Sequence, residues 1–377
     1  MGPLAGLKVV ELMGIGPGPF CGMMLGDMGA EIISVERADA PANPGDPLYR
    51  NRKRVVINLK TPEGLEALLK LIDKADVVYE GYRPGVTERL GFGPDVCLKR
   101  NPKLVYGRMT GWGQEGPMAK AAGHDINYIS LTGALHAIGV KGQKPVPPIN
   151  LVGDFGGGGM LLAFGIVCAA FEAQRTGKGQ VVDAAMVDGA AALMAMFIGM
   201  KGAGFGSIDE VGGHMLAAGA HYYDTYETKD GKYISVGSLE PQFYELLMKQ
   251  AELDRSIFAE YGQLMPKDGP HEWPRLKGEL AKVIKTKTRD EWSAIMEGTD
   301  ACVAPVLTMS EAPHHPHIAA RKTYIELGGT WQNAPAPRFS RTVPDVPKVQ
   351  GAMNEGAKET LQGWGIDAAT ISTVIGV

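Results

Sequence analysis

The stretch LKVVELMGIGPGPFCGMMLGDMGAEIISVE, residues 7–36, decides the fold. LKVVEL (7–12) and EIISVE (31–36) are short, apolar, β-rich runs, and CGMMLGDMGA between them is a helix candidate made of small residues. The alternation continues outward. RVVINLK (54–60) reads as a third strand, followed by TPEGLEALLKLIDK (61–74), a helix with Thr61 as N-cap, Pro62 in its first position and leucines at helical spacing. ADVVYEGY (75–82) and KLVYGRMTG (103–111) are further strands. Strands alternating with helices imply parallel βαβ units, hence an α/β fold with a doubly wound, mostly parallel, Rossmann-like large domain.

MLLAFGIVCAAFEAQRTGKG (160–179) is apolar on nearly every face and predicts a buried helix stopped by Gly177. QVVDAAMVDGAAALMAMFIGM (180–200) adds a strand and a helix. The large domain is therefore expected over 1–190 and a linker over 191–220, centred on the glycine-rich segment 202–219. A smaller α+β domain follows over 221–312. It has a hairpin at 222–237 turning at Lys229-Asp230-Gly231, helices near 241–252, 273–285 and 289–297, and a strand at 301–307. Residues 313–377 are expected to return to the large domain, beginning with a proline-rich extended strap.

A hydrophobic content of 45% with 21% charged residues excludes disordered and fibrous classes. The net charge of -4 gives no basic field for nucleic acid, so an anionic ligand must be held by local clusters. Cys21, Cys97, Cys168 and Cys302 show no metal-ligand spacing. No targeting signal opens the chain and no 18-residue apolar span is evident in the sequence, so a cytoplasmic protein with no membrane partner is expected.

GIGPGPF (14–20) has the wrong spacing for a dinucleotide fingerprint, and Pro17 and Pro19 remove amide donors; it reads as a rigid strand-to-helix turn. Arg37, Lys60 and Arg83 close three successive strands, with Arg89 just beyond, so they can converge on the carboxyl-end rim where open α/β sheets bind ligands. Such a rim suits a polyphosphate. Arg50, Arg52, Lys53 and Arg54, in the run RNRKR at 50–54, are open between that rim and a solvated face.

His124 and Asp125 begin a helix-like segment on the same rim. The histidine is open between a buried structural role and chemistry, and the Asp125 amide is a candidate oxyanion donor. Asp154, before the glycines of GDFGGGG, is open between an N-cap and a reacting carboxylate. Four glycines exceed what a cap needs and suggest clearance for a substrate. Glu240 stands at a helix start, where it complements the dipole unless it meets the other two. Methionines 186, 194, 196, 200 and 215 are core packing or an adaptable floor for an acyl chain.

These residues, with GPGP, EGYRPGVTERLG, RMTGWGQ, GHDINYIS, PVPPINLVGDFGGG, GKGQVVDAAMVDG, YYDTYE, EPQFY, DACVAPVL and PAPRFSRT, resemble the α-methylacyl-CoA racemases of the type III CoA-transferase superfamily, over about residues 3–342. The resemblance implies that coenzyme A lies on Arg37, Lys60, Gly81, Tyr82, Arg83 and Arg89. Ile57, Asn58 and Leu59 would line the adenine end, and Gly123, Asp125, Ile126, Asn127 and Tyr128 the pantetheine end. It implies His124 and Asp154 as two bases, Glu240 as the partner of His124, and an interlocked homodimer whose site is shared between subunits. Coenzyme A is then part of a 2-methylacyl-CoA substrate, and the chemistry requires no separate cofactor or metal. A CoA transferase using Asp154 as nucleophile, a non-catalytic CoA-ester binder and a nicotinamide dehydrogenase are the competing readings.

Overall fold

The computed structural model describes residues 1–12, 14–41, 43–202, 208–262 and 270–375. In chain order the first elements are β1 (Lys8–Leu12), α1 (Pro17–Asp27), β2 (Glu31–Glu36), β3 (Arg52–Val56), α2 (Pro62–Ile72), β4 (Val77–Glu80), α3 (Val86–Leu90), α4 (Pro94–Arg100) and β5 (Val105–Thr110). Then come α5 (Asp125–Leu131), α6 (Ala134–Ala137), a π-helical segment Leu151–Gly159, α7 (Met160–Thr176), β6 (Gln180–Ala185) and α8 (Met186–Leu193). The six strands form one parallel sheet in the order β3-β2-β1-β4-β5-β6. The strand order reverses between β1 and β4, the switch point of a doubly wound sheet.

Alternation along each strand feeds two cores. Val10, Leu12, Ile33 and Val35 pack with Leu68 and Leu71 of α2, while Val9, Ile32 and Tyr79 pack with Leu25 of α1 and Leu162 and Ile166 of α7. Thr61 caps α2 by accepting the Gly64 amide, as its position in the sequence implies.

Contacts divide the chain into two units: Met1–Thr132, Ile149–Leu193 and His317–Val377 in one, Gly133–Pro148 and Met194–Pro316 in the other. Residues 133–148 thus group with the second unit rather than with the domain the sequence places them in. That unit carries α9 (Ala195–Gly202) and an antiparallel sheet of β7 (Tyr223–Glu227), β8 (Tyr233–Gly237) and β9 (Val303–Val306). Its helices include α10 (Pro241–Gln250), α11 (Arg255–Phe258), α12 (Trp273–Ile284) and α13 (Arg289–Met296). The β7–β8 hairpin turns where expected, with Gly231 at φ 75. The expected linker contains α9 and a short π-helical turn at Met215–Gly219, while its residues 203–207 lie outside the described residues. The strap is not fully extended, since it holds α14 (Pro316–Arg321) and the hairpin β10 (Tyr324–Leu327) with β11 (Thr330–Asn333).

Two further expectations change. The π-helical segment runs directly into α7, so Leu151–Thr176 is one helix long and apolar enough, by length and composition, to cross a membrane, where no such apolar span was expected. Nor is α7 buried all round in the single chain: Leu162, Ile166 and Ala169 are buried, but Phe164 and Phe171 are 65% and 62% exposed.

Candidate active site

The rim forms because every parallel strand of the sheet points the same way, delivering its following loop to one edge. After β1 comes the Gly14–Gly16 turn, after β4 Gly81–Arg83, and after β5 the long loop leading to His124. Asp154 reaches the same place from the π-helical segment: a side chain on Gly16 (φ 64) would place its Cβ 3.2 Å from Asp154 Oδ2. The turn read as merely rigid therefore leaves space beside the carboxylate, and only a glycine takes that conformation without strain.

The glycines after Asp154 have another task. A Cβ on Gly157 would lie 2.6 Å from the Ala190 amide, and one on Gly159 would lie 2.4 Å from the Pro17 carbonyl. They allow close backbone contact with α8 and α1, which corrects the expectation that they clear a path for substrate.

His124 is the exposed N-cap residue of α5, and its own amide donates to Asn127 Oδ1 at 3.0 Å. Asp154 is partly buried. Its amide donates to Asp125 Oδ2 at 2.7 Å, and its Oδ2 accepts from Asn150 Nδ2 at 2.6 Å. Burial pushes the Asp154 carboxyl above the usual carboxylate range; the like charge of Asp125 adds to this, while the Asn150 hydrogen bond and nearby His124 oppose it. Asn150 escaped the sequence reading, although its place four residues before Asp154 puts both on one helix face.

Lys60 and Arg83 are exposed and, among the described residues, their side chains make no hydrogen bond or ion pair. Arg89 bonds the Gly85 carbonyl, and Arg37 pairs with Asp39 at 2.8 Å while 85% exposed. Lys60 sits in the turn before α2, not in the strand, because β3 ends at Val56. Ile57 is buried, Leu59 and Tyr82 are partly buried, and Asn58, Gly81, Ile126 and Asn127 are exposed. Gly123 accepts the Tyr128 hydroxyl, and Tyr128 packs edge-on to Trp112.

The arginines of the run, Arg50, Arg52 and Arg54, belong neither to this rim nor to a solvated face. Arg52 and Arg54 lie in β3 and pair with Glu11 and Glu36 at 2.7 Å, each partner at most 2% exposed, while Arg50 pairs with buried Asp27. Of the methionines, 186, 194 and 215 are buried and Met196 is 54% exposed. Glu240 is the exposed N-cap residue of α10, in the other unit, and its side chain caps nothing there.

The arrangement offers a carboxylate and an imidazole near enough to interact electrostatically, with His124 on the loop that follows β5 and Asp154 beside the turn that follows β1. Such a pair can take a proton at one group and supply it at the other. Residues 4–355 match the model of CoA-transferase family III. The chain is 42% identical to mouse alpha-methylacyl-CoA racemase over 371 residues, covering 98% of this chain and 95% of that one, and 41% identical to the human protein of that name over the same shares. A CaiB/BaiF family protein from Brucella suis shares the fold, with a TM-score of 0.80 at 24% identity over 96% of this chain and 99% of the other.

Proposed function

The chain belongs to CoA-transferase family III, and from that premise we propose that it interconverts the (R) and (S) epimers of 2-methylacyl-CoA thioesters. The observation that carries this reading is that His124 lies close enough to act electrostatically on an Asp154 carboxyl that burial holds above its ordinary range. One group removes the α-proton, leaving its electron pair in an enolate. The other returns a proton to the opposite face, so the pair holds one proton before and after turnover. The Asp125 amide, in the first turn of α5, faces the enolate oxygen in this reading. Coenzyme A lies along Arg37, Lys60, Gly81 to Arg83 and Arg89, with Ile57 to Leu59 at the adenine and Gly123 to Tyr128 along the pantetheine.

We place the site in a homodimer. The exposed face of α7, with Met160, Phe164, Val167 and Phe171, is the kind of surface a second copy covers. Glu240 of the partner subunit would orient His124 and stabilise its protonated form.

A CoA transferase would use Asp154 to attack the thioester carbonyl, forming an anhydride and releasing CoA thiolate. That step gives His124 nothing to do. One 2-methylacyl-CoA epimer incubated in deuterated water with an added free acid separates the two. Deuterium at the α-carbon with loss of optical purity supports the racemase; retained configuration with CoA moved to the acid refutes it.

A further inference from the structure

Asp125 contributes more than its backbone amide. Its side chain is 4% exposed and reaches across to the π-helical segment, where Oδ2 accepts the Asp154 amide at 2.7 Å. That amide lies in the first turn of the segment, among those left without an intrahelical partner. The approach depends on Gly153, where a Cβ would come within 2.5 Å of the same oxygen. Asp125 Oδ1 is also buried and has no hydrogen-bond partner. An uncharged cap would satisfy the amide without burying an unpaired carboxylate oxygen, so the charge itself calls for a role.

We propose that the Asp125 carboxylate is a positioning residue for Asp154: it fixes the segment carrying Asp154 against α5 and, as a neighbouring negative charge, sets the pH at which Asp154 takes up its proton. Because His124 precedes Asp125 in the chain, one residue ties both bases together. The kinetic part of this proposal rests on the racemase reading. The other groups around Asp154 are accounted for. From α5 come His124, Asp125 and Tyr128, whose hydroxyl stays protonated and donates to the Gly123 carbonyl, and Asn150 belongs to the segment itself. Among the other elements packed against it, Arg108 of β5 is paired with Glu80 and Glu88, Asp183 of β6 accepts the Gln114 amide, Asp27 of α1 pairs with Arg50, and Asp188 of α8 couples to Asp183. Glu172 and Arg175 lie in the distal half of α7. The like charge of Asp125 favours the protonated form of Asp154, so its removal must favour the ionised form.

The test compares wild type with Asp125→Asn and Asp125→Ser, which keep an acceptor for the amide and remove the charge. Carboxyl carbon-13 resonances are titrated, with Asp154 assigned by its absence in Asp154→Asn, and the acidic limb of kcat/KM for α-proton exchange is followed in parallel with the epimer that His124→Ala still exchanges. The Asp154 midpoint and the limb should both move to lower pH by about half a unit to one unit. An unmoved or raised midpoint in either folded variant overturns the proposal, as does loss of folding in both. A shifted midpoint in a protein that exchanges no α-proton upholds the positioning role and removes the racemase reading instead.

Discussion

Replacing Asn150 by alanine should move the acidic limb of α-proton exchange to higher pH. The Asn150 Nδ2 donates to Asp154 Oδ2 at 2.6 Å, a bond made to the ionised carboxylate. Hydrogen bonds to charged groups contribute about 1.5–3 kcal/mol. Asn150 is exposed and Asp154 only partly buried, so the lower end applies, about 1.5 kcal/mol, or roughly one pH unit. Below the limb kcat/KM should therefore fall about tenfold, because a tenth as much Asp154 is ionised, while the plateau changes far less. The assay is the pH profile of deuterium uptake from the 2-methylacyl-CoA epimer that His124→Ala still exchanges, whose proton Asp154 removes, measured for wild type, Asn150→Ala and Asn150→Asp. The aspartate should push the limb further up by adding a like charge. A limb that stays in place or moves down in Asn150→Ala would refute the assignment of that limb to Asp154.

Arg52→Ala should cost about 3–5 kcal/mol of stability by stranding buried Glu11, read as a lowered unfolding midpoint, whereas Arg83→Ala should raise KM for CoA esters with the midpoint unchanged. His221 is fully buried in the second unit, its Nε2 against the Tyr244 hydroxyl, and burial holds its pKa down to about 3. The unfolded chain takes up this proton near pH 6.5 and the folded chain does not, so its stabilising contribution is present above pH 6.5 and is lost as pH falls toward 3. Thermal scans should show a shallower acid loss in His221→Phe. Phe164→Glu with Phe171→Glu should break the proposed homodimer into monomers in sedimentation experiments, with activity lost.

The parallel sheet and the β7–β8 hairpin were legible because periodicity and turn residues are local signals. That Lys60 and Arg83 fall in the loops after β3 and β4 was legible too, since the strand runs preceding them are local signals. The destination of Arg52 and Arg54 was not, because their partners Glu11 and Glu36 sit on other strands and only the sheet register brings them together. A carboxylate inside each of the apolar runs KVVEL and EIISVE was the available clue. The glycines after Asp154 were misread for a related reason: what a missing Cβ makes room for, here α1 and α8, depends on which backbone packs opposite. The partnership of Asp125 with Asp154 spans 29 residues, and nothing local announces it.

The claim that His124 and Asp154 serve opposite faces of one carbon is tested most directly by single-turnover deuterium exchange with each epimer in His124→Ala and Asp154→Ala. Two bases predict that neither variant inverts configuration, and that each retains exchange with only one epimer, the opposite one in the two cases. Inversion by either variant, or exchange of both epimers by one of them, would contradict it.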